Sequence, residues 1–144
     1  MIRTSTAVWR GNGPQGKGAL TTQSGVFQDQ PYSFQTRFAS EDGKAGTNPE
    51  ELLGAAHAGC FAMALAFALT EAGKPADELR VAAKLDFVKL EAGWTIRNIA
   101  LELEGKVPGL DAAKFNELAE KAKKNCPISR ALAATPITLA VKFG

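Results

Sequence analysis

The most constraining feature of this sequence is an uncharged segment of nineteen residues, from Leu52 to Thr70, that is apolar on every side of a helix. Its length is close to the ~20 residues that a membrane-spanning helix needs. However, alanine and glycine dominate the segment, and neither flank carries a cluster of Lys or Arg. We therefore predict a helix that is buried on all sides within a soluble fold, with no membrane contact.

This helix is long for a small protein to cover by itself. A helix of about 25 residues spans ~37 Å, which equals the ~37 Å diameter expected for a compact chain of 144 residues. Gly54, Ala55, Ala58 and Gly59 form a stripe of small residues along which another backbone could approach closely. These features predict a homodimer with a shared core. The chain length itself suits a single domain over residues 1–144.

Local signals mark both ends of the helix. Asn48 suits the N-cap, Pro49 the first helical position and Glu51 the third position of a capping box. The helix is predicted to continue to about Ala72, where Gly73 and the following Lys-Pro supply a stop.

The remaining segments predict strands and shorter helices. The sequence before the long helix predicts an antiparallel meander of three strands, over residues 4–10, 18–23 and 32–38, with Arg37 on the polar face of the third. The sequence after it predicts a hairpin over 79–89 and 94–104, a helix capped by Asp111, a short helix opened by Cys126-Pro127 and a strand over 136–141. This segregation of strands and helices indicates an α+β fold, with antiparallel sheets packed on the long central helix.

The composition narrows the classes of function. Lys and Arg total 17 against 15 Asp and Glu, so the net charge is only +2, which argues against a nucleic-acid-binding surface. The N-terminal segment has no apolar run, which argues against a signal peptide. Cys60 and Cys126 show no spacing typical of a zinc site. In the cytoplasm, where we expect this chain, two such thiols would be reduced or redox-cycling rather than permanently bridged.

Four residues admit both a structural and a chemical role. Cys60 is either a small buried hydrophobe or a reactive thiol, and in mid-helix it would need a cation from elsewhere in the fold. Cys126, at a helix start, is either a half-buried cap or a thiolate stabilised by free backbone N–H groups. Arg37 is either a solvated charge or the cation that a reactive Cys60 would need. Glu50 is either a carboxylate that caps the helix or the ion-pair partner of Arg37.

His57 precedes Cys60 by three residues and so lies on the same helical face. A Cys–His hydrolase would also need an orienting third group and an oxyanion hole, which are scarce in mid-helix. A metal site of His57, Cys60 and Cys126 would lack the usual ligand spacing. We therefore favour a packing role for His57.

Two motifs carry a resemblance to a known family. They are the run TNPEELLGAAHAGCF, which ends at Phe61, and the CPIS run that begins at Cys126. Together with PYSFQTRF over 31–38 and VPGLD over 107–111, they resemble the family of osmotically inducible protein C and organic hydroperoxide resistance proteins, and the branch of osmotically inducible protein C in particular.

The resemblance implies a thiol peroxidase that works as an intertwined homodimer, with each site built by both protomers. It implies that Cys60 is the peroxidatic nucleophile, that Cys126 is the resolving thiol, and that Arg37 and Glu50 organise the thiolate. It also implies an organic hydroperoxide as substrate and an external dithiol as reductant, with lipoyl groups as one possibility, and no bound cofactor or metal. An intrachain disulfide would require the two cysteine Cα atoms to lie within about 7 Å.

Elementary electrostatics agrees with these implied roles. A guanidinium ~4 Å from a thiolate gives about 4 kcal/mol of gross attraction at an effective dielectric constant of 20, and each pKa unit requires only about 1.4 kcal/mol. An alternative of a different class is a non-catalytic protein that binds a lipid-like ligand in an apolar dimer crevice. A co-purified ligand without peroxide turnover would favour that alternative.

Overall fold

A computed structural model describes residues 1–144 and confirms the α+β class. It contains two three-stranded sheets and one long helix. The chain divides into two compact units, Met1–Leu52 and Leu53–Gly144, and each is described by itself.

The first unit contains the predicted meander. Strands β1 (Ser5–Arg10), β2 (Lys17–Thr22) and β3 (Gln30–Ser33) pair antiparallel in the order β1-β2-β3. The rings of Trp9 and Tyr32 lie 5.5 Å apart at the β1 and β3 sides of the sheet. Gly18 in β2 lies beneath both rings, where a β-carbon would collide with the Tyr32 ring.

The prediction that the third strand continues to residue 38 is wrong. The strand ends at Ser33, and Gln35–Ala39 forms a π-helical turn. The Ser33 N–H donates to the Thr36 hydroxyl (2.9 Å), and that hydroxyl donates to the Ser33 carbonyl (3.0 Å), so local side-chain hydrogen bonds replace the sheet ladder. Phe34 and Phe38, which the alternating pattern placed on one face of a strand, instead pack against each other across the turn, with their ring centres 4.8 Å apart.

Helix α1 (Pro49–Glu71) begins and ends within one residue of the predicted bounds. The Glu51 N–H donates to the Asn48 side-chain oxygen (2.8 Å), as predicted for an N-cap. The Glu51 carboxylate accepts from the Thr47 hydroxyl at 2.8 Å, a contact that the capping-box prediction did not include. The end is set by Gly73 at φ 68°, where the Lys74 N–H reaches back to the Leu69 carbonyl.

The second unit contains the other sheet. Strands β4 (Glu78–Leu90) and β5 (Gly93–Lys106) form the predicted antiparallel hairpin. Strand β6 (Ile137–Phe143) pairs with β5 in parallel, so the expectation of purely antiparallel sheets is wrong for this strand. A parallel pair needs a crossover connection, which helices α2 (Ala112–Asn125) and α3 (Pro127–Ala131) supply.

One face of α1 builds the core of the second unit. Its buried residues recur every three or four positions, namely Gly54, His57, Phe61, Leu65 and Leu69. The three large apolar side chains of this face share a cluster with β5 residues Ile99, Leu101 and Leu103. Gly54 belongs to this intrachain face, because a β-carbon there would come within 3.1 Å of Leu85 on β4.

The opposite face of α1 is exposed in the single chain. Met63 is 63% exposed and Phe67 is 65% exposed. The all-round burial predicted for this helix is therefore not achieved within one chain. By length and hydropathy α1 could also cross a membrane, but one such helix is weak evidence, because a core helix passes the same test.

Candidate active site

The two cysteines meet in the second unit. Cys60 lies in the middle of α1 and Cys126 lies at the junction of α2 and α3, and their sulfur atoms are 3.0 Å apart although 66 residues separate them. Both are free thiols. Cys126 is fully buried, and Cys60 is partly accessible. A proximity of this kind is what a reversible Cys60–Cys126 disulfide requires.

Local backbone geometry fixes Cys126. Its N–H donates to the Ala122 carbonyl (2.8 Å) and closes α2, while its carbonyl accepts from the Arg130 N–H (3.0 Å) and opens α3. Pro127 occupies the first turn of α3, where its missing N–H costs no hydrogen bond. The sulfur is therefore held at a helix start, as the sequence predicted.

The two thiols differ in their acidity within the chain. Burial raises the pKa of Cys60, and the neighbouring Cys126 raises it further. Burial alone would also raise the pKa of Cys126, but the proximity of the Cys60 thiol, the Ser129 hydroxyl and the backbone of Ser129 and Ile128 outweighs it, so the pKa of Cys126 is lowered. Burial within this unit therefore disfavours the thiolate of Cys60.

His57 lies beside this pair with its imidazole fully buried. Its Nε2 is 2.7 Å from the Ser129 hydroxyl, and its Nδ1 has no hydrogen-bond partner. Neither ring nitrogen is therefore hydrogen-bonded to Cys60, as a Cys–His hydrolase would require. Burial lowers the pKa of His57, which favours the neutral ring. The structure contains no cluster of three or more His, Cys, Asp or Glu side chains that could hold a metal.

Arg37 and Glu50 form an ion pair in the first unit. The Arg37 Nη2 donates to Glu50 Oε1 at 2.7 Å, and Nε donates to both carboxylate oxygens at 3.2 and 3.3 Å. The Glu50 side chain is only 12% exposed, and the Arg37 guanidinium also lies 5.0 Å from the centre of the Phe38 ring. This bidentate geometry fixes the direction of the guanidinium.

The structure thus groups the four predicted residues into two pairs, the thiols in one unit and the ion pair in the other. Sequence reasoning did not assign a role to Ser129, although it lies in the CPIS run. The signal that could have singled out Ser129 is its position three residues after Cys126, the N-cap of α3, because a side chain at that position faces the N-cap residue.

Comparisons with known proteins place this architecture in a family. A family model described as OsmC-like protein matches residues 41–142. The chain is 48% identical to Peroxiredoxin OsmC of Escherichia coli over 128 residues, which cover 89% of this chain and 87% of that protein. It is 30% identical to the organic hydroperoxide resistance protein OhrB of Bacillus subtilis, over 79% of this chain and 80% of that protein.

The solved structures agree with the sequence matches. The crystal structure of OhrB of Bacillus subtilis superposes with a TM-score of 0.74 at 28% identity, covering 96% of this chain and 98% of that one. The OsmC-like protein of Mycoplasma pneumoniae has the same fold, with a TM-score of 0.77 at 16% identity over 99% of this chain and 97% of that one. The chain therefore belongs to the OsmC/Ohr family, and its sequence is closer to the OsmC branch than to the Ohr branch.

Proposed function

We propose that this chain is a cysteine-based peroxidase that reduces organic hydroperoxides to alcohols. The observation that carries the proposal is the 3.0 Å separation of the Cys60 and Cys126 sulfurs. The names of the relatives, a peroxiredoxin and organic hydroperoxide resistance proteins, support a peroxidase role and this class of substrate. Because the thiols are the redox groups, the reaction needs no bound cofactor.

In the first step, the Cys60 thiolate attacks the distal oxygen of the hydroperoxide. The S–O bond forms, the O–O bond breaks, and the alkoxide leaves and takes a proton from solvent to become the alcohol. Cys60 is left as a sulfenic acid. Cys60 is the partly accessible member of the pair, which supports its assignment as the sulfur that meets the substrate.

This step needs the thiolate of Cys60, and burial disfavours that thiolate by raising the pKa of the thiol, so a positive charge beside the sulfur is needed to offset the burial. We assign the charge to Arg37, with Glu50 directing the guanidinium. A guanidinium ~4 Å from the sulfur would contribute about 4 kcal/mol of gross attraction, and it would also stabilise the departing alkoxide.

The active form that we propose is a homodimer in which both protomers build each site. The exposed apolar face of α1 supports it, because Met63 and Phe67 would otherwise leave a large apolar area in water. A second copy that covers this face would complete the all-round burial of α1. The two units of each chain would then act as one catalytic domain.

In the second step, Cys126 attacks the sulfenic sulfur. The S–S bond forms, the S–O bond breaks, and the hydroxyl leaves as water with the proton that Cys126 gives up. An external dithiol, of which a lipoyl group is one example, then reduces the disulfide by thiol exchange. The reducing cytoplasm is the compartment that we propose, because it keeps the resting thiols reduced.

Peroxide consumption with a dithiol reductant tests the proposal. Wild type should consume cumene hydroperoxide, Cys60→Ser should be inactive, and Cys126→Ser should react once and then accumulate over-oxidised Cys60. Equal consumption by wild type and Cys60→Ser would refute the peroxidase assignment. Thr70→Ala, which removes an exposed hydroxyl from α1, serves as the matched control.

The alternative is a non-catalytic protein that binds a lipid-like ligand. This alternative is favoured by an apolar cavity of about 280 Å³ within the first unit. Aromatic side chains line the cavity, namely Trp9, Tyr32, Phe34 and Phe38. A ligand that co-purifies with the protein, together with unreacted thiols after peroxide treatment, would support the alternative.

A further inference from the structure

The segment that carries Arg37 has no buried residue to hold it in place. This segment is the π-helical turn Gln35–Ala39, and each of its side chains is at least partly exposed. Burial against a core is what usually fixes a surface segment in one conformation, and a segment without such burial opens readily. The direction of the Arg37 guanidinium must therefore be fixed by local contacts of the turn.

Hydrogen bonds between Ser33 and Thr36 are such contacts. The Thr36 hydroxyl accepts from the Ser33 N–H at 2.9 Å and donates to the Ser33 carbonyl at 3.0 Å. In return, the Ser33 hydroxyl oxygen accepts from the Thr36 N–H at 3.2 Å. The Thr36 hydroxyl thus uses both its proton and a lone pair, so that removing this one group breaks two of the three hydrogen bonds.

Thr36 also touches the segment that leads to Glu50. A β-carbon on Gly46 would come within 2.7 Å of the Thr36 Cγ2, so the Thr36 methyl group lies against the Gly46 backbone. Gly46 is four residues before Glu50 in the sequence. Thr36 therefore lies between the two partners of the ion pair. Its own backbone continues into Arg37, and its methyl group faces the chain that leads to Glu50.

Resting on the peroxidase function proposed above, we propose that Thr36 is a positioning residue for the attack on peroxide. Its hydroxyl holds the turn in the conformation that aims the Arg37 guanidinium at Glu50, where the two side chains form their bidentate pair. Without these hydrogen bonds the turn takes up other conformations, and the guanidinium leaves the direction in which it favours the Cys60 thiolate. Thr36 therefore acts through Arg37 and not on the sulfur.

Three threonine variants of the full-length protein test this inference. Thr36→Val keeps the shape of the side chain and removes the hydroxyl, whereas Thr36→Ser keeps the hydroxyl and removes the methyl group. Thr21→Val is the matched control, because the half-buried Thr21 hydroxyl also accepts a backbone N–H, that of Asp29 at 3.1 Å, far from the turn in sequence. Oxidation of Cys60 by one equivalent of cumene hydroperoxide is followed by intact mass at several pH values.

We expect Thr36→Val to oxidise Cys60 about tenfold more slowly than wild type, because each lost hydrogen bond shifts a conformational equilibrium about fivefold. The pH profile of this oxidation should move to higher pH, since a thiol without a nearby positive charge keeps its proton to higher pH. Thr36→Ser and Thr21→Val should stay within about twofold of the wild-type rate. In the Arg37→Met background, Thr36→Val should have no further effect, because both changes act on one guanidinium.

The direction of Arg37 can also be observed without peroxide. In the reduced protein the Arg37 Nε–H donates to both Glu50 carboxylate oxygens, at 3.2 and 3.3 Å, and should exchange slowly with water. In NMR spectra of isotope-labelled protein, the signal of this hydrogen is identified by its absence from Arg37→Met. Thr36→Val should exchange this hydrogen about tenfold faster, whereas Thr21→Val should leave the exchange rate unchanged.

Wild-type exchange of the Arg37 Nε–H in Thr36→Val, or oxidation of Cys60 at the wild-type rate, would overturn the inference. A further loss of rate in the Arg37→Met background would also overturn it, because Thr36 would then act by another route. If Thr36→Val does not fold, as judged by urea unfolding, Ser33→Ala decides, because it removes the acceptor of the Thr36 N–H; wild-type exchange and oxidation in that variant would equally overturn the inference. Failure of wild-type Cys60 to react with peroxide is a separate result, which would overturn the proposed function and leave the exchange measurement unaffected.

Discussion

Closing the Cys60–Cys126 bridge should stabilise the folded chain, because the native structure already holds the two sulfurs together. They are 3.0 Å apart, and a disulfide needs about 2.05 Å, so the folded state requires a movement of about 1 Å. The unfolded chain, in contrast, loses the freedom of a 66-residue loop. The perturbation is oxidation of the purified protein with diamide, which does not depend on peroxidase activity.

The expected gain follows from the length of that loop. In the chain-entropy description, a bridge across 66 residues removes about 15 cal/mol/K from the unfolded state, which is about 4 kcal/mol at 25 °C. Unfolding entropies near 2.1 cal/mol/K per residue give about 300 cal/mol/K for 144 residues. The melting temperature of the oxidised protein should therefore rise by about 14 °C.

Thermal unfolding of the reduced and oxidised forms at one protein concentration measures this shift. Cys126→Ser treated with diamide is the control and should not change its melting temperature. A rise of less than about 3 °C, or a fall, in a sample shown by mass to carry the intrachain bridge would contradict this expected stabilisation. It would mean that closing the bridge distorts the native structure instead of joining sulfurs that are already adjacent.

Three further predictions concern the ion pair, the exposed helix face and the buried imidazole. Arg37→Met should slow oxidation of Cys60 in stopped-flow assays by about 10- to 100-fold, and Glu50→Gln should slow this oxidation less. Equal rates in wild type and both variants would show that Arg37 does not act on Cys60. Phe67→Asp should convert a dimer to a monomer in light-scattering measurements, because it places a charge on the exposed apolar face of α1; an unchanged mass would contradict a dimer through this face. Burial lowers the pKa of His57 below its ordinary 6.5, so on acidification the unfolded state takes up this proton before the folded state does. The unfolding free energy should therefore fall as the pH drops below about 6.5, by at most about 1.4 kcal/mol per pH unit. Urea titrations at several pH values measure this, and His57→Gln should reduce the slope.

Features governed by local chemistry could be predicted from the sequence. The bounds of α1 follow from Asn48 and Gly73, and the start of α2 follows from Asp111, whose carboxylate accepts from the Lys114 N–H at 2.8 Å. The hairpin of β4 and β5 follows from the alternation of its residues. Each of these signals acts within a few residues of the structure that it specifies.

Two errors show where such signals fail. The alternating pattern around Arg37 predicted a strand, but Ser33 and Thr36 form hydrogen bonds with each other that outweigh the pattern and produce a turn. The parallel direction of β6 has no local signal, because it depends on where the α2–α3 crossover returns the chain.

The candidate site was predictable only in part. The family resemblance carried by the motifs around Cys60 and Cys126 implied a thiol pair and an Arg37–Glu50 pair, whereas the residues alone left their roles open. The contact between His57 and Ser129 joins residues 72 positions apart, and no periodicity or cap in the sequence indicates it. Tertiary packing alone brings these two side chains together.

Intact mass with thiol counting, before and after one equivalent of cumene hydroperoxide, shows whether peroxide joins Cys60 to Cys126. Wild type should lose two hydrogens and both free thiols within one chain, with Cys60 and Cys126 joined in the peptide map. Two thiols that remain free after the peroxide treatment, or a bridge formed only between chains, would contradict it.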